Sequence, residues 1–103
     1  MIEAEFSKYR IRVEGHSTND ENDINGKLVC AAVSSAVIMT ANAITEILKI
    51  DSVVVFRDGY LDIKMKSPEK AEHIIKALEL HLNELSKEHK NKIKIIHADY
   101  KPI

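Results

Sequence analysis

Alternating apolar and polar residues open the chain. Ile2, Ala4 and Phe6 share one side of the run from Ile2 to Ser7, and Ile11 and Val13 share one side of Arg10 to Glu14. This period of two predicts a pair of half-buried strands, and the short Lys8-Tyr9 connection predicts that they form an antiparallel hairpin. The pattern vanishes over Gly15 to Lys27, a polar stretch that holds Gly15, Gly26 and a single aliphatic residue, Ile24. It reads as a loop of about a dozen residues, and loops of that length inside compact domains are more often functional than accidental. From Leu28 to Lys49 the apolar residues return at three- and four-residue steps, as Val29, Val33, Ala36, Val37, Ile44, Ile47 and Leu48. That spacing predicts a helix, and Ala31, Ala32, Ser34 and Ser35 allow it to pack closely on a sheet.

A second hairpin is expected from Asp51–Arg57 and Tyr60–Lys66 across the Asp58-Gly59 turn, with Leu61, Ile63 and Met65 facing inward. Ser67-Pro68-Glu69 reads as a capped helix start. The stripe Ala71, Ile74, Ile75, Leu78, Leu82 and Leu85 gives that helix one buried face, and Ile93–Ala98 reads as a fifth strand. The order ββαββαβ predicts an α+β fold: a mostly antiparallel five-stranded sheet with two helices packed on it. At 103 residues the chain is expected to form a single domain, residues 1–103, around one core.

Composition narrows the class rather than the function. An apolar fraction of 45% with 30% charged residues fits a globular chain, and a net charge of −1 does not call for a polyanion partner. The acidic start is unlike a signal peptide, and the most apolar stretch, Leu28 to Met39, reads as too short and too polar to span a bilayer. No membrane association is expected. The single cysteine excludes an intrachain disulfide and fits a reducing cytoplasm.

That cysteine is also the main candidate for chemistry. Cys30 falls in the first turn of the expected helix, where unpaired N–H groups and the helix dipole stabilise a thiolate and raise its reactivity. His16 lies at the other end of the polar loop, close to the end of the second strand. A strand end beside a helix start can bring an imidazole to a sulfur, to take the thiol proton and later protonate a leaving amine. Ser34 lies one turn beyond Cys30 on the same helical face, within reach to orient a group. Spacing alone leaves two readings open: a nucleophile with its base, or a small buried hydrophobe with a surface histidine.

The residues around the pair are more specific than their spacing. Gly15-His16-Ser17, a polar loop, and then Leu28-Val29-Cys30-Ala31-Ala32-Val33-Ser34 resemble the ribosomal-processing cysteine protease (Prp) family, also described as YsxB-like. Its signature is a Gly-His-Ala, a glycine-containing loop, and Asp-Ile-Val-Cys-Ala-Ala-Val-Ser. The resemblance implies the same order of strands and helices, and a cysteine endopeptidase that removes the N-terminal extension of a large-subunit ribosomal protein. By position, it implies Cys30 as nucleophile, His16 as base and Gly15 as hinge of a substrate-covering loop that includes Ser17, Asn25, Gly26 and Lys27. It further implies a homodimer, possible contact with the ribosome, and no metal or cofactor.

Three features depart from that signature. Ser17 stands where the family has alanine, the interval from His16 to Cys30 is longer, and Lys27 stands where an aspartate is expected. A lysine cannot orient an imidazole as a carboxylate does; Asp20 or Asp23 is the candidate substitute. The alternative function is a non-catalytic ribosome-associated interaction or dimerisation module of the same fold.

The other histidines and the basic cluster add little. His73, His81 and His89 recur every eight residues and so do not share a helical face, and they lack zinc-ligand spacing. His97 reads as structural. Lys87, Lys90, Lys92 and Lys94 suit the negative end of a helix dipole, with ribosomal RNA contact as the functional alternative.

Overall fold

The computed structural model describes residues 1–98. The strands are β1 (Ile2–Phe6), β2 (Arg10–Glu14), β3 (Ser52–Arg57), β4 (Tyr60–Met65) and β5 (Ile93–His97), and the long helices are α1 (Ile24–Asn42) and α2 (Glu72–Glu88). They form one five-stranded sheet in the order β3-β4-β2-β1-β5. Three of its pairings are antiparallel, and β1 with β5 is parallel. The expectation of an α+β fold with a mostly antiparallel sheet therefore holds, the β1–β5 pair being the parallel one.

Cross-strand register explains which face carries the helices. Ala4 pairs with Val13, Phe6 with Ile11, Ile11 with Ile63 and Val13 with Leu61, so the alternating apolar positions of three strands fall on one face. Val29, Val33, Val37, Ala41 and Ile44 from the first helical run pack into that face, and Leu78 and Leu82 of α2 complete the same core. The opposite face is charged, because the intervening positions are Glu5, Arg10, Arg12, Glu14 and Asp62. There Arg10 holds the buried Asp62 carboxylate through two hydrogen bonds of 2.7 and 3.0 Å, and Arg12 pairs with Glu5 and Glu14.

The helices differ from the sequence expectation mainly at their ends. α1 begins at Ile24, not Leu28, and widens into a π-turn over Ala43–Ile47, where the Leu48 N–H donates to the Ala43 carbonyl at 2.8 Å. Lys49 then takes a left-handed φ of 52°, ending the helix where glycine is more usual. Because the helix runs beyond Leu28–Met39 in both directions, Ile24–Ile47 is long and apolar enough to cross a membrane by length and composition. This corrects the reading of a stretch confined to Leu28–Met39. One side of this helix forms the core on the sheet, which accounts for much of its apolarity. A 3₁₀ turn, Pro68–Ala71, precedes α2, and Ser67 makes no side-chain capping bond.

Beyond β4, the edge strand β3 extends past the cover of the helices. Val53, Val54, Val55 and Phe56 are all exposed, on both of its faces.

Candidate active site

The segment that carries the candidate residues is fixed by one aspartate. Asp23 caps α1, its Oδ1 accepting the Gly26 N–H at 2.9 Å, while the Lys27 N–H donates to the Asp23 carbonyl at 3.1 Å. Capping is strong enough to start the helix across Asn25 and Gly26, residues of weak helix propensity. Asn25, Gly26 and Lys27 are thus the first turn of α1 rather than part of a covering loop, which corrects the sequence reading. Asn25 and Lys27 are exposed, whereas Gly26 is buried under Thr18, leaving only 2.5 Å between an added Cβ and the Thr18 methyl. Cys30 accordingly ends the second turn. Its own N–H is turned to the helix interior, and the Gly26 and Lys27 N–H groups at the helix start are taken by Asp23.

Asp23 is also committed elsewhere. Its carboxylate lies 3.1 Å from Lys92 Nζ, and its pKa is lowered, first by the Gly26 N–H and then by the Lys92 and Thr18 hydrogen bonds. It is not a free carboxylate that could orient His16.

The loop that remains, from Gly15 to Asp23, folds onto the cysteine. Ser17 is 6% exposed, and its N–H and hydroxyl lie 3.2 and 3.0 Å from Cys30 Sγ; the hydroxyl also contacts the Gly26 carbonyl. Cys30 itself is half-buried and opens on a cleft of about 180 Å³ between α1 and the β3–β4 hairpin. Gly15, His16, Cys30 and Ser34 all line this cleft. Four of the residues singled out in the sequence are therefore brought together. Val33, Val37, Ile38, Phe56 and Leu61 give the cleft apolar walls suited to a peptide side chain.

His16 is exposed at the cleft mouth. Its carbonyl accepts a 2.7 Å hydrogen bond from the Met1 nitrogen, and its ring rests on Gly59, where an added Cβ would come within 2.6 Å of Nε2. Among the described residues no hydrogen bond joins the imidazole to Cys30. Gly59 is the site residue that sequence reasoning missed, since Asp58-Gly59 signals a turn and nothing more. Pairing of Glu14 with Tyr60 continues into a 2.9 Å bond from the Gly15 N–H to the Gly59 carbonyl, and so docks the turn on the histidine. Among the described residues no cluster of His, Cys, Asp or Glu is arranged to hold a metal ion.

The cysteine protease Prp family model matches residues 1–94, a span that includes both walls of this cleft. The chain belongs to that family. It is a cysteine protease. Its fold is similar to the ribosomal processing protease Prp of S. aureus in complex with a covalently linked product peptide, at 18% identity and a TM-score of 0.82. That match covers 95% of this chain and 100% of the other. The same S. aureus protease with a substrate peptide gives 18% identity, the same coverage and a TM-score of 0.81. SMU.848 from Streptococcus mutans is similar at 20% identity, with 97% and 99% of the two chains covered and a TM-score of 0.80. No curated protein matches the sequence. Family membership favours the protease over the non-catalytic reading.

Proposed function

We propose that this Prp-family protease is a cytoplasmic endopeptidase that removes the N-terminal extension of a large-subunit ribosomal protein. The observation that carries this reading is the meeting of Cys30 and His16 in one apolar-walled cleft, within the span matched by the family. The similar S. aureus protein is described as an essential ribosomal processing protease, which supports the substrate class.

The chemistry follows from the residues present. His16, an exposed ring, turns from Gly59 toward the sulfur and takes the Cys30 proton. The thiolate attacks the scissile carbonyl, forming the S–C bond of an acyl-enzyme as the amide C–N bond breaks. The His16 proton passes to the leaving amine. Water, activated by His16, then releases the new C-terminus and the thiol. The N–H groups at the start of α1 are committed to its cap, so the Ser17 N–H beside the sulfur is the nearest backbone donor for the oxyanion. Ser34, a turn beyond Cys30, lines the same cleft and is assigned to orient the peptide.

Incubation with a peptide spanning the extension junction of the ribosomal protein from the same organism is expected to give one cut at that junction. An intact peptide after prolonged incubation, with Cys30 still reactive to iodoacetamide, would overturn the substrate assignment.

The proposal includes a homodimer, and contact with the ribosome during processing. Val53, Val54 and Val55 leave an exposed apolar edge strand, an arrangement that stable monomers avoid. A second copy covering β3 removes that liability. Sedimentation at micromolar concentration is expected to give twice the chain mass of 11.6 kDa; a single species at the chain mass would refute the dimer.

A further inference from the structure

Two contacts from a single loop residue converge on the nucleophile. The Ser17 N–H lies 3.2 Å from Cys30 Sγ and the Ser17 hydroxyl 3.0 Å from it, with that residue almost wholly buried. The hydroxyl also touches the Gly26 carbonyl. A carbonyl oxygen only accepts, so the hydroxyl hydrogen is directed to Gly26 and an Oγ lone pair faces the sulfur. The thiol hydrogen therefore has a fixed acceptor, which sets the rotation of the S–H bond. Behind this contact stands Lys92, from the turn before β5. Its Nζ reaches the Ser17 carbonyl at 3.5 Å and the Asp23 carboxylate at 3.1 Å, and so ties both ends of the loop to one cation.

We propose that Ser17 is a positioning residue for Cys30, held on the sulfur by Lys92. This rests on the reading of Cys30 as nucleophile. In the resting enzyme Ser17 Oγ accepts the thiol hydrogen. When that proton passes from Sγ to His16, the Ser17 hydroxyl turns its hydrogen from the Gly26 carbonyl to the thiolate. The sulfur anion then receives two donors, the Ser17 N–H and O–H. Hydrogen bonds to an ionised group are the stronger kind, and both groups stand beside the sulfur before the peptide arrives. Gly26 loses little in the exchange, since its carbonyl keeps the Cys30 N–H of the helix. Lys92 acts at one remove: without it the Ser17 carbonyl is released and the N–H drifts from the sulfur.

The test is peptide cleavage together with the rate of Cys30 alkylation by iodoacetamide at neutral pH, which needs no peptide. Ser17→Ala is expected to lower kcat about tenfold with KM within about twofold, and to slow alkylation by a similar factor. Ser17→Thr, which keeps the hydroxyl, is expected to recover most of both rates. Lys92→Met is expected to lower kcat in the same direction, and Lys92→Arg to restore it through the same two contacts. Wild-type kcat and alkylation in Ser17→Ala would overturn the positioning role. So would a Lys92→Arg variant as slow as Lys92→Met. Failure of the wild-type protein to cut the peptide would count against the substrate assignment alone, because the alkylation arm still tests Ser17.

Discussion

Cys30→Ala is expected to reduce peptide cleavage by about 10⁴-fold or more, to the level of a protein that binds the peptide without attacking it. The size of the effect follows from the absence of a substitute. Cys30 is the chain's one cysteine, and Ser34 on the same cleft wall is a hydroxyl, a far weaker nucleophile at neutral pH than a thiol. Stability is expected to change little, since Cys30 is half-buried and its polar contacts come from Ser17 alone. The loss therefore reports chemistry rather than unfolding, and an unchanged melting temperature confirms that. His16→Ala is expected to cost about 10²- to 10⁴-fold in kcat, the usual contribution of a positioned general base. Cleavage by Cys30→Ala within tenfold of the wild-type rate would exclude a thiol mechanism.

Local pattern carried most of the fold. Strand alternation and helical stripes are properties of neighbouring residues, and Ile2–Phe6, Tyr60–Met65 and the face of α2 fall where the periodicity places them. The start of α1 was hidden for a physical reason. Asn25 and Gly26 read as turn residues, and only the Asp23 cap, a contact between side chain and backbone, makes them helical. That four-residue difference moves Cys30 from the first turn to the second. Its environment is consequently set by Ser17 and the cleft more than by the helix dipole, whose influence fades within the first turn. The remaining features of the site are long-range. Gly59 meets His16 because β2 and β4 pair in one register, and Lys92 meets Ser17 because β5 returns beside β1. A linear motif can name Cys30 and His16 but cannot show that a turn some forty residues on supports the imidazole. The departures from the family signature gain meaning in the same way. Ser17 touches the sulfur, so its hydroxyl is chemically consequential; Lys27 points into solvent, away from the cleft lining.

Gly15→Ala is expected to impair both folding and catalysis, by two separable causes. Gly15 has φ of 103°, a conformation that costs a residue with a Cβ roughly 1–3 kcal/mol. An alanine Cβ there would also stand 2.5 Å from the Met1 carbonyl oxygen, a backbone atom that cannot rotate away. A melting temperature lower by about 5–10 °C is expected for a domain of this size. Relief of the clash moves the chain at Gly15, and His16 is the next residue. Its backbone is held by the Met1 nitrogen on one side, and the adjoining Gly15 N–H by the Gly59 carbonyl on the other. Shifting Gly15 by even an ångström therefore displaces the backbone from which the His16 imidazole must reach the sulfur. Misplacement on that scale costs about 10²-fold in rate. Measured below the new melting temperature, where the variant is folded, kcat is expected to fall by that factor. The alkylation rate of Cys30 should change far less, because the contacts on the sulfur come from Ser17, whose carbonyl is tied to Lys92. A variant that melts and cleaves like the wild type would show that the strand end at Gly15 is not what places the base.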